Sequence, residues 1–113
     1  MEKKKTTKVT KKKTYKLLTS TITVVYKDQV FDDNGDYLYG LQRNRLNNVE
    51  VYVSTKDADG KPLSKEFIES TLRHELFHLI LGMLFFDTES NNETLVEWLA
   101  NATLTLSKQG LTI

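Results

Sequence analysis

At 113 residues, with 39% hydrophobic and 27% charged side chains, the chain has material for one small core and no second domain of ordinary size. The longest apolar run, Leu76 to Phe86, is broken by His78 and Gly82. It falls short of the ~20 residues that span a bilayer, so no membrane helix is expected. No cysteine is present for a disulfide, a thiol nucleophile or a thiolate zinc site. The basic start runs on into Thr and Lys rather than an apolar stretch and a cleavage site, so no secretory signal is read and the expected compartment is cytoplasmic.

The net charge of +1 conceals two unlike parts. Residues 1–16 carry eight lysines against Glu2, a balance of +7; the other 97 residues carry eight basic and fourteen acidic groups, a balance of −6. Beyond the initiator methionine, residues 1–14 contain Val9 as their one aliphatic side chain. They are expected to form a disordered lysine-rich arm, with residues 15–113 as a single domain. Such an arm suits contact with nucleic acid or another acidic partner, and equally a solubilising tail.

Tyr15 to Lys27, with Ile22, Val24, Val25 and Tyr26 among several threonines, has the composition of a strand. Asp32-Asp33-Asn34-Gly35-Asp36 is a turn cluster. Tyr37 to Leu41 opens a second strand that runs polar through Arg43 and Arg45, and Asn47-Asn48 suits a tight turn. Val49, Val51 and Val53 alternate with Glu50, Tyr52 and Ser54, the period of a half-covered strand. Asp57 to Pro62 is the next loop. Ser64 is a good N-cap for a helix whose apolar residues run from Phe67 to Leu81 and surround its second half, which is expected to be buried. Asp87 to Asn92 is read as a polar loop. Glu93 to Lys108 is a second helix, with Gly110 as its stop. Phe67, Phe77, Phe85, Phe86 and Trp98 are expected to help close the core.

The chemistry concentrates in His74-Glu75-Leu76-Phe77-His78, which holds both histidines of the chain. On a helix, residues four apart differ by about 40° in direction, so both imidazoles project from one face toward one ion. Neutral imidazole is a good zinc ligand, and two such groups need further partners. Glu75 is rotated off the ligand axis yet close enough to a metal-bound water to take its proton. The bland alternative is a pair of structural histidines near a helix end. With cysteine and a third histidine absent, a third protein ligand must be a carboxylate, and Glu93 and Glu97 are the candidates. Glu97 is preferred because it interrupts an apolar stretch, where a lone carboxylate is costly unless paired or metal-bound. Glu93, at the helix entrance, is explained by the N-terminal dipole. Asn101, one turn beyond Glu97, is placed to orient a ligand histidine through its other ring nitrogen.

Thr71 to His78, followed nineteen residues later by Glu97-Trp98-Leu99-Ala100-Asn101, resembles the gluzincin class of zinc metallopeptidases. It is most similar to the small ImmA/IrrE-like domains of phages and mobile elements and to the single-domain minigluzincins, over about residues 37–108. The resemblance implies Zn²⁺ held by His74, His78 and Glu97, Glu75 as catalytic base, and a protein or peptide substrate. It further implies that Val49 to Thr55 is the edge strand binding an extended peptide. Tyr39, or Tyr37, is the candidate oxyanion stabiliser.

The expected fold is α+β, an antiparallel sheet of about three strands packed on two helices that carry the zinc site. The leading functional reading is a zinc-dependent peptidase. The competing ones are a non-catalytic zinc-stapled binding module and a nucleic-acid-associated regulator acting through the lysine arm.

Overall fold

The computed structural model describes residues 8–17, 20–45, 48–83 and 87–112. Strands fill the first part of the chain and helices the second, making an α+β protein. It divides into two compact units, Met1–Ser64 and Lys65–Ile113.

In the first unit, β1 (Val9–Leu17), β2 (Ser20–Lys27), β5 (Gly40–Arg45) and β6 (Asn48–Ser54) form a four-stranded sheet in the order β1-β2-β6-β5. The short strands β3 (Val30–Phe31) and β4 (Tyr37–Leu38) pair separately. The sheet is mixed, not a three-stranded antiparallel one: β2 and β6 run parallel, while β1–β2 and β5–β6 are antiparallel. A parallel pair needs a long crossover, and the stretch through β3, β4 and β5 supplies it. Opposite one another across β2 and β6 stand Ile22 with Val49 and Val24 with Val51. All four are buried, as is Val53, so the period-2 pattern of β6 marks the covered face. With β2 on one side and β5 on the other, β6 is central. Val49 to Thr55 is therefore no edge strand for a peptide, because both rows of its backbone groups are already bonded.

Tyr15 to Lys27 is not one strand but parts of two, with the intervening residues 18–19 outside the described ones. Strand β1 takes in residues 9–14 of the expected arm, in antiparallel register with β2; residues 1–7 lie outside the described ones. Its side chains over residues 9–16 are exposed. What holds it is the backbone ladder, with the Thr14 and Thr23 hydroxyls 3.5 Å apart, Lys13 Nζ 5.2 Å from the Tyr15 ring centre and Lys11 Nζ 6.0 Å from that of Tyr26. Lysines on an outer strand also discourage edge-to-edge association.

Two turns in this unit share one construction. Asp32 Oδ1 accepts the backbone N–H groups of Asn34 and Asp36, and Asp57 Oδ1 those of Asp59 and Lys61. In each, the glycine (Gly35 or Gly60) has φ +84°, a conformation that side chains beyond glycine adopt at a cost. The buried Ser54 ties the small ribbon to β6: its Oγ accepts from Val30 N at 2.8 Å and donates to Leu38 O at 2.6 Å.

The second unit comprises α1 (Lys65–Met83), a single turn α2 (Asp87–Ser90) inside the expected polar loop, and α3 (Glu93–Lys108). Helix α3 starts at Asn92, whose side chain accepts from Leu95 N at 3.0 Å. It ends in a Schellman motif: Gly110 takes φ +99°, its N–H bonds Ser107 O, and Leu111 N–H bonds Leu106 O. Val96 and Ala100 form its buried stripe. On α1 only Leu79 among the described side chains is fully buried, so the apolar second half is less covered than expected. Phe77 is half-buried, Phe67 is exposed, and Phe85 and Phe86 lie outside the described residues. No helix among the described residues is long and apolar enough to cross a membrane.

Candidate metal centre

The seam between α1 and α3 is polar and advances by whole turns. Ser70 Oγ donates to Asn101 Oδ1 at 3.2 Å, His74 meets Glu97 at 3.1 Å, and His78 meets Glu93 at 2.8 Å. Positions rising by four on α1 thus face positions falling by four on α3, so the helices run antiparallel. A further ion pair, Lys108 with Glu66, closes the far end.

The histidines project from one face as their spacing requires, with ring centres 4.8 Å apart and the two Nε2 atoms separated by 3.1 Å. The carboxylate that faces both Nε2 atoms is that of Glu93: Oε2 lies 3.2 Å from His74 Nε2 and Oε1 2.8 Å from His78 Nε2. His74, His78 and Glu93 are the group whose ligand atoms could hold a metal ion. Glu97, expected as the third ligand, stands instead on the other side of His74, with Oε2 3.1 Å from Nδ1. Asn101 does not reach a histidine; its Nδ2 donates to Glu97 Oε1 at 3.4 Å. Ser70, which sequence reading missed, begins this chain of contacts.

Protonation follows from chemistry. An ionised carboxylate only accepts, so the contact with Glu97 puts the proton of a neutral His74 on Nδ1 and leaves a lone pair on Nε2. That lone pair looks at Glu93 Oε2 and at His78 Nε2. One proton on His78 Nε2 serves one neighbour and leaves acceptor facing acceptor elsewhere. A metal cation among the three groups, or a second proton on His74, satisfies them.

Glu75, between the histidines in sequence, is half-buried. Burial pushes its carboxyl above the ordinary value; the His74 and His78 imidazoles pull the other way, and the Glu93 charge adds to the rise. Tyr37 and Tyr39 belong to the first unit. The Tyr37 hydroxyl donates to Lys56 O at 2.5 Å, and the exposed Tyr39 ring stands edge-on to Tyr37 at 5.4 Å.

No protein-family model matches this chain, and no curated protein or solved structure does.

Proposed function

We propose that the chain binds one zinc ion through His74 Nε2, His78 Nε2 and the Glu93 carboxylate, and that it is a metal-dependent peptidase acting on a protein substrate. The observation that carries this reading is the convergence of three ligand groups of the right chemistry on one point. Ligand bonds of about 2.0–2.1 Å in tetrahedral geometry place neighbouring donor atoms about 3.3 Å apart. The two Nε2 atoms here are 3.1 Å apart, and with one donor atom per residue the three ligand atoms all lie within 4.8 Å of one another. Three protein ligands leave the fourth position open, as catalytic zinc sites do, whereas structural sites close it.

Bound zinc would polarise a scissile carbonyl and acidify an attacking water. The chain's own residues do the rest. Glu75 would take the proton from such a water and hand it to the leaving amine; its raised affinity for a proton, given by burial, suits the carrier role. Glu97 holds the His74 ring and its tautomer through Nδ1; Asn101 holds Glu97, and Ser70 holds Asn101 in turn.

The test is metal analysis and proteolysis of the purified chain beside its Glu75→Gln variant, with a pool of unfolded polypeptides as substrate. Both proteins should carry about one zinc per chain, and the variant should cut about 10²–10⁴-fold more slowly. Zinc content unchanged by His74→Ala or His78→Ala would overturn the site. Cleavage by Glu75→Gln at the parent rate would overturn the mechanism.

A further inference from the structure

The lysines at the start of the chain have no part in the metal reading, and the fold arranges them on an outer strand. From Lys3 to Lys27 the sequence holds nine lysines and no acidic residue. Lys8 and the β1 lysines Lys11, Lys12, Lys13 and Lys16 are exposed, and no carboxylate among the described residues pairs with them. Lys56 and Lys108, by contrast, meet Asp28 and Glu66. Protecting a sheet edge takes few charges, so a run this dense and this uncompensated exceeds that need.

Pairing with β2 sorts these side chains. Successive residues of a strand point to opposite faces, so Lys11, Lys13 and Tyr15 share one face while Lys12 and Lys16 take the other. On the first face Lys13 Nζ lies 5.2 Å from the Tyr15 ring centre, and Lys11 Nζ lies 6.0 Å from that of Tyr26, the residue opposite. A neutral ring orients an ammonium group without cancelling its charge. Tyr15 itself is 48% exposed. Alternate residues stand about 6.8 Å apart, so two cations and an open ring form one short row.

We infer that this face of β1 binds single-stranded nucleic acid, with Lys11 and Lys13 on phosphates and Tyr15 stacked against a base. The inference is independent of the metal-dependent reading. Nucleic acid suits the row better than other polyanions do, because phosphates answer the lysines and a base answers the ring. An acidic side chain or a lipid headgroup has no flat face for Tyr15. A duplex keeps its bases stacked on one another, whereas a single strand can offer one to an aromatic side chain.

The test is fluorescence anisotropy of a short labelled oligothymidylate titrated with the full chain. Affinity should fall with salt, each neutralised phosphate adding about 0.7 to the slope of log K against log salt concentration. The double variant Lys11→Gln, Lys13→Gln should flatten that slope by about 1.4. Lys12→Gln with Lys16→Gln, an equal loss of charge on the other face, should flatten it clearly less. Tyr15→Ala should weaken binding about fivefold or more, and Tyr15→Phe should retain most of the affinity. Against an abasic oligomer with the same phosphates, Tyr15→Ala should bind as the parent does, which separates lost stacking from a damaged strand. Equal or reversed effects of the two lysine pairs would reduce β1 to diffuse charge and overturn the inference. So would parent affinity in Tyr15→Ala, or no binding of the oligothymidylate at low salt. Tighter binding to the duplex of the same sequence, to polyglutamate or to phosphatidylserine vesicles would overturn it in favour of that partner.

Discussion

Exchanging each α3 carboxylate for its amide, one at a time, separates ligand from orienting group. Glu93 faces both Nε2 atoms, at 3.2 and 2.8 Å, whereas Glu97 meets Nδ1, the nitrogen turned away from the cluster. A four-ligand structural zinc site is worth about 10–16 kcal/mol, so one ligand of the set accounts for roughly 3–4 kcal/mol. That is about 10²–10³-fold in affinity. Glu93→Gln should therefore weaken zinc by about 10³-fold, since an amide oxygen is a poor substitute for a carboxylate. Glu97→Gln should cost about 10–100-fold, the usual effect of losing the group that orients a ligand histidine. Ser70→Ala and Asn101→Ala, further along the same chain of contacts, should cost less than Glu97→Gln. Competition against a chromophoric chelator at fixed pH reads all four variants on one scale. A larger loss in Glu97→Gln than in Glu93→Gln would refute the assignment and make Glu97 the ligand.

Ser54→Ala should destabilise the first unit by about 1–3 kcal/mol in urea unfolding, because it strands the Val30 N–H and the Leu38 carbonyl that the hydroxyl now serves; a negligible loss would show that both groups find other partners. Deleting residues 1–14 removes most of the β1–β2 ladder and should lower the melting temperature by about 4 °C or more. An unchanged melting temperature would mean that β1 adds no net stability. Burial raises the Tyr37 phenol above its ordinary value, against a smaller opposing effect of Ser54. The phenol thus keeps its proton longer folded than unfolded, and its stabilisation is complete below the unfolded value of about 10 and lost as pH rises through the folded one. Urea unfolding at successive pH values above 9 should accordingly show a steeper decline in the parent than in Tyr37→Phe, and equal slopes would contradict it.

How far the sequence could be read depended on the range of the interactions involved. Helix α3 was legible at both ends because its signals are local: Asn92 caps the first turn, and Gly110 supplies the positive φ that ends the last. Strand β6 was legible because Val49, Val51 and Val53 record which face is covered. Strand β1 was not, since it is held by backbone bonds to β2 and lysine-tyrosine contacts that leave no apolar pattern. Its lysines described the charge of the segment accurately and said nothing about its pairing. Trp98 misled for the opposite reason: its type suggested the core, while exposure depends on what the rest of the unit covers.

The histidine–carboxylate cluster divides along the same line. That His74 and His78 share a face follows from the helical period alone, a property of consecutive residues that no tertiary contact needs to supply. Which carboxylate meets them depends on how two antiparallel helices align. His78 with Glu93, His74 with Glu97 and Ser70 with Asn101 are each centred between positions 85 and 86, a symmetry that the chain could have disclosed had the antiparallel register been assumed. Local spacing aims two imidazoles at a point. The interhelical register decides that Glu93 joins them there and that Glu97 stands behind, because side-chain placement across a helix pair is set by packing between elements and not by the periodicity within either one.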